Sequence, residues 1–289
     1  MEKTQSAFAQ TVPMAPMSLS PREKGNQKEF AKIPIPVRVI NLDAHADRFE
    51  RVQTMIKTYG FASPVERLVA IDGRKLSDDE KSRVVTLRAR GEIEFGRELH
   101  QGLPSWGAIG CTLSHKKAWE ECIEKNAPML ILEDDAIFMG SVATWIERFL
   151  ECLKCMQEWD ICMLQGVRGK SLNENLNQID APWPSGKAFM GTHAYIVTPK
   201  AAQLLQKYVL PINEQTDFYI QSIAHFHGLR IAGPTRKMAR QLIHRSSIQN
   251  SCLKCSVPSS SHIYALLAAA VLVGFTLRMV GERLGSNVK

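Results

Sequence analysis

"MLILEDDAIF" occupies residues 129–138, and its reading decides the fold. Met129–Leu132 form a short apolar run of the kind that makes a fully buried strand. Glu133, Asp134 and Asp135 follow it without a break. Three adjacent carboxylates repel one another, so their place at a strand end calls for a cause. In open α/β sheets ligands bind beyond the carboxyl ends of the strands, which is where this reading puts the acids. Side chains alternate faces along an extended chain, so Glu133 and Asp135 are expected on one side and Asp134 on the other. Two hard oxygen donors on one side suit Mg2+ or Mn2+. A simpler role also stays open, in which the acids complement the positive end of a helix starting near Ser141.

The flanking sequence alternates between strand and helix. "PVRVINL" (36–42) is a short apolar strand, and "ADRFERVQTMIKTYG" (46–60) sets Phe49, Val52, Met55 and Ile56 at helical spacing before Gly60 stops it. "VERLVAI" (65–71) is a second strand closed by Asp72-Gly73, and a charged segment follows. In "GAIGCTLSHKKAWEECIEKN" (107–126) glycines feed a helix. Its Ile109, Thr112, Leu113, Trp119 and Ile123 share one arc, with Lys116 inside the arc and His115 at its edge. An edge histidine is more often structural than functional, while the Gly107–Gly110 segment could offer amides to an anion. A helix near 142–156, a strand "DICMLQG" (160–166), a hairpin or paired strands in "KAFMGTHAYIVT" (187–198) and a helix "PKAAQLLQKYV" (199–209) complete the pattern. The alternation predicts an α/β fold with a mostly parallel central sheet flanked by helices.

The 289 residues suffice for a sizeable core in one large domain or two small ones. A formal charge of +7 points to anionic partners: phosphates, a membrane surface or nucleic acid. No arginine-rich run interleaved with aromatics occurs, so no nucleic-acid partner is expected. The seven cysteines include two CLKC pairs, Cys152/Cys155 and Cys252/Cys255, too far apart for an ordinary zinc ribbon and read as reduced. Residues 1–33 are polar and aperiodic, a flexible leader without the apolar core of a secretory signal. A folded domain is expected over 34–250, then a linker over 251–262 and a C-terminal hydrophobic helix over 263–281. That helix would span about 28 Å, close to a bilayer's hydrocarbon thickness. It predicts a membrane-associated chain with a single-pass anchor and the folded domain on the cytosolic side. A buried C-terminal helix is the competing reading.

Five segments in order carry a resemblance to a known family: "VINLDAHADRFE", "GAIGCTLSHKKAW", "LILEDDAIF", "GTHAYIVTPKAAQLL" and "TDFYI". From about Val37 to Ile248 the chain resembles glycosyltransferase family 25, the lipooligosaccharide and collagen galactosyltransferase family. The resemblance implies a GT-A-like single domain, a UDP-sugar donor (most often UDP-galactose), and Mn2+ or Mg2+ as cofactor. It implies a glycan, glycolipid or glycoprotein acceptor, as in lipopolysaccharide synthesis.

Carried over by position, Asn41, Asp43 and Arg48 would lie near the nucleotide, with Ser114 and His115 also contributing to donor binding. Asp135 would hold the metal with Glu133 and His244, and Glu133 or Asp134 would contact ribose or sugar hydroxyls. His244 and Arg245 in "LIHRSSI" (242–248) would close on the phosphates. Inversion at the anomeric carbon needs a base, for which Asp217 is the first choice and Asp134 the second. Asp217 also reads as an N-cap of the helix "FYIQSIAHF". His193 departs from the small polar residue expected at its place. Two other readings compete: a non-catalytic, membrane-tethered carbohydrate-binding relative, and a metal-dependent phosphohydrolase.

Overall fold

The computed structural model describes residues 35–59, 64–99, 101–156, 159–168, 170–173, 176–178 and 189–242. Where a single domain is expected, the chain divides into two compact units. The first gathers the chain up to Ile71, Cys111–Val209 and the stretch from Thr216 onward. The second is built from Asp72–Gly110 and Leu210–Gln215. The division arises because the charged segment after the second strand folds into helices of its own.

In chain order the first unit opens with β1 (Val37–Asn41), α1 (Ala46–Thr58) and β2 (Val65–Val69). The second unit contains α2 (Asp78–Val84), which opens on a Ser77/Glu80 capping box, and α3 (Leu87–Phe95). α4 (Trp106–Lys125) starts in the second unit and runs on into the first. Gly107 and Gly110 therefore lie inside the first turns of α4 rather than in a loop ahead of it. Then come β3 (Met129–Glu133), β4 (Ala136–Phe138), α5 (Val142–Met156), β5 (Ile161–Met163), β6 (Lys170–Asn173) and β7 (Leu176–Gln178). The chain continues through β8 (Ala194–Val197), α6 (Pro199–Tyr208), α7 (Thr216–His227), β9 (Ile231–Pro234) and β10 (Ala239–Gln241).

The main sheet has the order β2-β1-β3-β8-β5-β9-β7-β6, and β4 pairs with β10 apart from it. β1 is parallel to β2 and β3, and β5 is parallel to β9. β8 is antiparallel to both β3 and β5, and β7 to both β9 and β6. Within the main sheet all strands except β8 and β7 thus share one direction, and the sheet is mostly parallel as expected. The segment read as a hairpin holds one described strand, β8, inserted between β3 and β5. Its four residues are all buried, as a strand covered on both faces requires.

The core follows from periodicity. Every residue of β1 is buried, and in β3 only Glu133 is partly exposed. α1 sends Val52 and Ile56 inward, and α5 aligns Val142, Trp145, Ile146 and Phe149 along its buried face. α6 begins on Pro199 after Thr198, whose side chain accepts the Ala201 N–H. Buried Arg38 is neutralised by Glu66 at 2.7 Å and by Glu121 at 2.5 Å. Cys111, Cys122 and Cys162 are free thiols.

The expected membrane attachment is corrected. Among the described residues no helix is long and apolar enough to cross a membrane. Residues 263–281 lie outside the described residues, as do the leader, Cys252, Cys255, His244 and Arg245.

Because β3 carries the acids, its packing sets their position. Leu132 is fully buried, and Leu132→Ala is expected to cost about 2–5 kcal/mol. Urea unfolding of the full chain measures it.

Candidate active site

β1 and β3 lie side by side with Ile40 in register with Glu133, so Asn41 and the acids reach the same carboxyl-end rim of the sheet. β3 ends at Glu133, and residues 134–135 turn the chain into β4. The alternation predicted for an extended strand therefore stops before Asp134, and the carboxylates separate onto three sets of partners. Glu133 Oε1 accepts the Thr192 hydroxyl at 2.6 Å and faces His115 Nε2 at 3.3 Å. Asp134 Oδ2 accepts Asn41 Nδ2 at 2.8 Å, while its Oδ1 lies 3.4 Å from an Arg48 guanidinium nitrogen. Asp135 Oδ2 accepts Gln241 Nε2 at 2.8 Å, whereas its Oδ1 is buried without a hydrogen-bond partner among the described residues.

The nucleotide residues proposed from sequence split in two. Asn41 is buried and is held through Oδ1 by Arg67 Nε at 2.8 Å, so it forms a fixed platform under Asp134. Asp43 is largely exposed and pairs with Arg67 at 2.7 Å. Arg51 adds a donor at 3.0 Å to the Asp134 carbonyl. Ser114 is buried and its hydroxyl accepts the Ile71 N–H at 2.8 Å, tying the chain beyond β2 to α4. His115, placed by the helical wheel at an edge, is fully buried.

Asp217 lies within the first turn of α7 and is not its N-cap. Its Oδ1 accepts the Phe218 N–H at 2.9 Å and its Oδ2 the Gly191 N–H at 2.8 Å. Gly191 has φ of +78°, a left-handed conformation that favours glycine, and the next residue, Thr192, serves Glu133. One short turn thus links the two acids. His193 is buried, and its ring nitrogens make no hydrogen bond of good geometry among the described residues, although the Ala239 backbone lies close enough to favour its protonated form. Burial holds the His193 pKa below its ordinary value, against the pull of the Glu133 charge.

The carboxyls differ in proton affinity. Burial pushes the Glu133 pKa up, but hydrogen bonds from His115 and Thr192 outweigh it and hold the group below the usual range. Burial and then the Glu133 charge push Asp135 up to about 7, with the Gln241 hydrogen bond opposing. Burial raises Asp217, and the Gly191 and Phe218 amides limit the rise. The site therefore combines an acid held below the usual range, an acid raised to about 7 and an acid more basic than usual.

A hard divalent cation fits Asp135, whose bare Oδ1 lacks any donor, together with Glu133. Cys111, His115 and Glu133 also present donor atoms within 4.8 Å of one another. Both His115 nitrogens are engaged there, and burial raises the Cys111 thiol well above its ordinary value, so hydrogen bonds close this trio. Thr192, Tyr195, Arg67 and Gln241 escape the sequence reading. For Thr192 and Tyr195 the available signal is adjacency, since β8 lies beside β3 and Leu132 pairs with Ala194.

Acids on the carboxyl-end rim of a mostly parallel sheet stand where ligands bind in open α/β folds. The chain belongs to glycosyltransferase family 25. The family model described as "Glycosyltransferase family 25 (LPS biosynthesis protein)" matches residues 35–220. A "Glycosyltransferase 25 family member" of Anopheles gambiae is 27% identical over 192 residues, covering 62% of this chain and 30% of the relative. "Procollagen galactosyltransferase 1" of Danio rerio is 25% identical over 193 residues, again 62% and 30%. A bovine relative, "Probable inactive glycosyltransferase 25 family member 3", is 30% identical over 132 residues, covering 44% and 21%. The chain thus spans under a third of the length of these curated relatives. A crystal structure of UDP-glucose pyrophosphorylase complexed with UDP-glucose is similar with a TM-score of 0.36 and 13% identity, covering 72% of this chain and 92% of that one.

The raised Asp135 pKa carries a stability consequence. A carboxyl whose pKa rises from 3.8 to about 7 on folding contributes fully below 3.8, and its contribution is lost as pH climbs through about 7. Asn at this position carries no charge at any pH. Metal-free Asp135→Asn is therefore expected to be about 1–3 kcal/mol more stable than the parent at pH 8 and equal to it near pH 3.5. Denaturant titration across that range checks it.

Proposed function

We propose that the chain is a metal-dependent glycosyltransferase with a GT-A-like fold. It moves a hexose, galactose foremost, from a UDP-sugar to a glycan, glycolipid or glycoprotein acceptor, as in lipopolysaccharide synthesis. Family membership supports transfer chemistry, and the buried, unpartnered Oδ1 of Asp135 beside ionised Glu133 carries the metal assignment. Asp135 and Glu133 would hold the cation, which would neutralise the charge that builds on the departing diphosphate. Asn41 and Arg48 hold Asp134 in place at the rim, where its position suits the nucleotide or sugar hydroxyls.

Asp217 takes the proton of the acceptor hydroxyl as that oxygen attacks the anomeric carbon, inverting it. Its raised pKa supports this role, because a more basic carboxylate removes a proton more readily. The two amides on its oxygens hold the carboxylate in one orientation.

Similarity to the bovine relative described as probably inactive favours a second reading, a binding protein without turnover. Two measurements separate the two. Purified chain is expected to hydrolyse or transfer from UDP-galactose with Mn2+ and to stop when the metal is chelated. Asp217→Asn is expected to lower kcat about 10²–10⁴-fold while UDP still binds. UDP binding without turnover of any UDP-hexose would select the non-catalytic reading. Full turnover by Asp217→Asn would remove Asp217 as the base.

A further inference from the structure

Behind Glu133 runs a chain of fully buried polar side chains that the transfer mechanism does not use. Trp119 Nε1 donates to the Tyr195 hydroxyl oxygen at 2.9 Å, and that hydroxyl lies 2.9 Å from His115 Nδ1. His115 Nε2 in turn lies 3.3 Å from Glu133 Oε1. Trp119, Tyr195 and His115 are each 0% exposed, so the chain runs through the interior of the domain.

Chemistry gives this chain one direction. An indole nitrogen only donates, so the Tyr195 oxygen is an acceptor toward Trp119. The remaining hydroxyl proton has one acceptor among the described residues, His115 Nδ1. Nδ1 is therefore unprotonated, and the imidazole carries its hydrogen on Nε2, pointing at the Glu133 carboxylate. The opposite tautomer would bury the Tyr195 proton without an acceptor and set a lone pair of Nε2 against a carboxylate oxygen. Both faults are costly in a dry interior.

The end of the chain is selective. Thr192 and His115 both engage Oε1 of Glu133, and Oε2 makes no hydrogen bond to a described residue. We propose that Trp119 and Tyr195 are positioning residues: they lock His115 as an Nε2–H donor, which fixes Glu133 through Oε1 and reserves Oε2 for the cation that binds with the sugar nucleotide. This role rests on the donor-binding reading above for its last link, whereas the lock on His115 stands without it. It also gives the aromatic core of α4 and β8 a purpose beyond packing.

Tyr195→Phe keeps the ring and removes only the hydroxyl. In the full chain with isotope-labelled histidine, His115 resonances are assigned by their loss in His115→Gln. The parent is expected to show the neutral Nε2–H tautomer, and Tyr195→Phe a mixture with the Nδ1–H form. UDP titrated in the presence of Mn2+ is expected to bind Tyr195→Phe about 10–100-fold more weakly than the parent. Trp119→Phe is expected to shift both readouts in the same direction by less, and it carries both measurements should Tyr195→Phe not fold.

A purely structural aromatic cluster would leave tautomer and UDP affinity unmoved in folded variants, and that result would overturn the proposal. A parent carrying the Nδ1–H form would overturn it as well. If the parent binds no UDP but its tautomer is locked and Tyr195→Phe releases it, the lock is supported and the donor-binding reading falls.

Discussion

Keeping three consecutive carboxylates apart at the end of one buried strand is the constraint on which the site depends. Left together in a poorly solvated rim they would repel strongly. The turn after Glu133 sends them to separate destinations: the His115 and Thr192 donors, the Asn41 and Arg48 donors, and Gln241. Among the described residues the last acid keeps one buried oxygen, Oδ1, without a hydrogen-bond partner. The unevenness makes the cluster chemical rather than merely structural. One acid is held ionised, one is poised near neutrality, and one serves as a rim contact.

The sheet topology supplies the second wall of the site. An all-parallel sheet would put another strand end beside Glu133. Instead β8 runs the other way, so its beginning lies at the rim, and the residues just before it, Gly191 to His193, pack against the acids. Glu133 N–H bonds the His193 carbonyl at 2.9 Å, which continues the ladder one step past β3. Through the Gly191 amide the same segment holds Asp217 from α7. Elements far apart in sequence thereby meet over one short turn.

Much of the fold was legible in the chain because its signals are local. The apolar runs of β1 and β3, the periodicity of α1 and α5, and Pro199 behind Thr198 each point to one local structure. The direction of β8 was not legible, since "AYIV" reads alike parallel or antiparallel and only tertiary pairing decides. Nor was the burial of His115, because the wheel places it at an edge and cannot see Tyr195 arriving from another strand. The acids were found, but their division was not. Alternation holds for an extended strand, and the strand ends one residue too soon. The N-cap expectation for Asp217 missed by two positions, because the helix already starts at Thr216, and the Gly191 amide is the partner that sequence could not name.

The account stands or falls on whether Asp135 and Glu133 hold a cation for a nucleoside diphosphate. Electron paramagnetic resonance of Mn2+ titrated into the full chain, with and without UDP, tests this most directly. The account predicts about one bound Mn2+ per chain, tightened by UDP and lost in a folded Asp135→Asn variant. Mn2+ that stays free under both conditions, or binds Asp135→Asn as well as the parent, would contradict it.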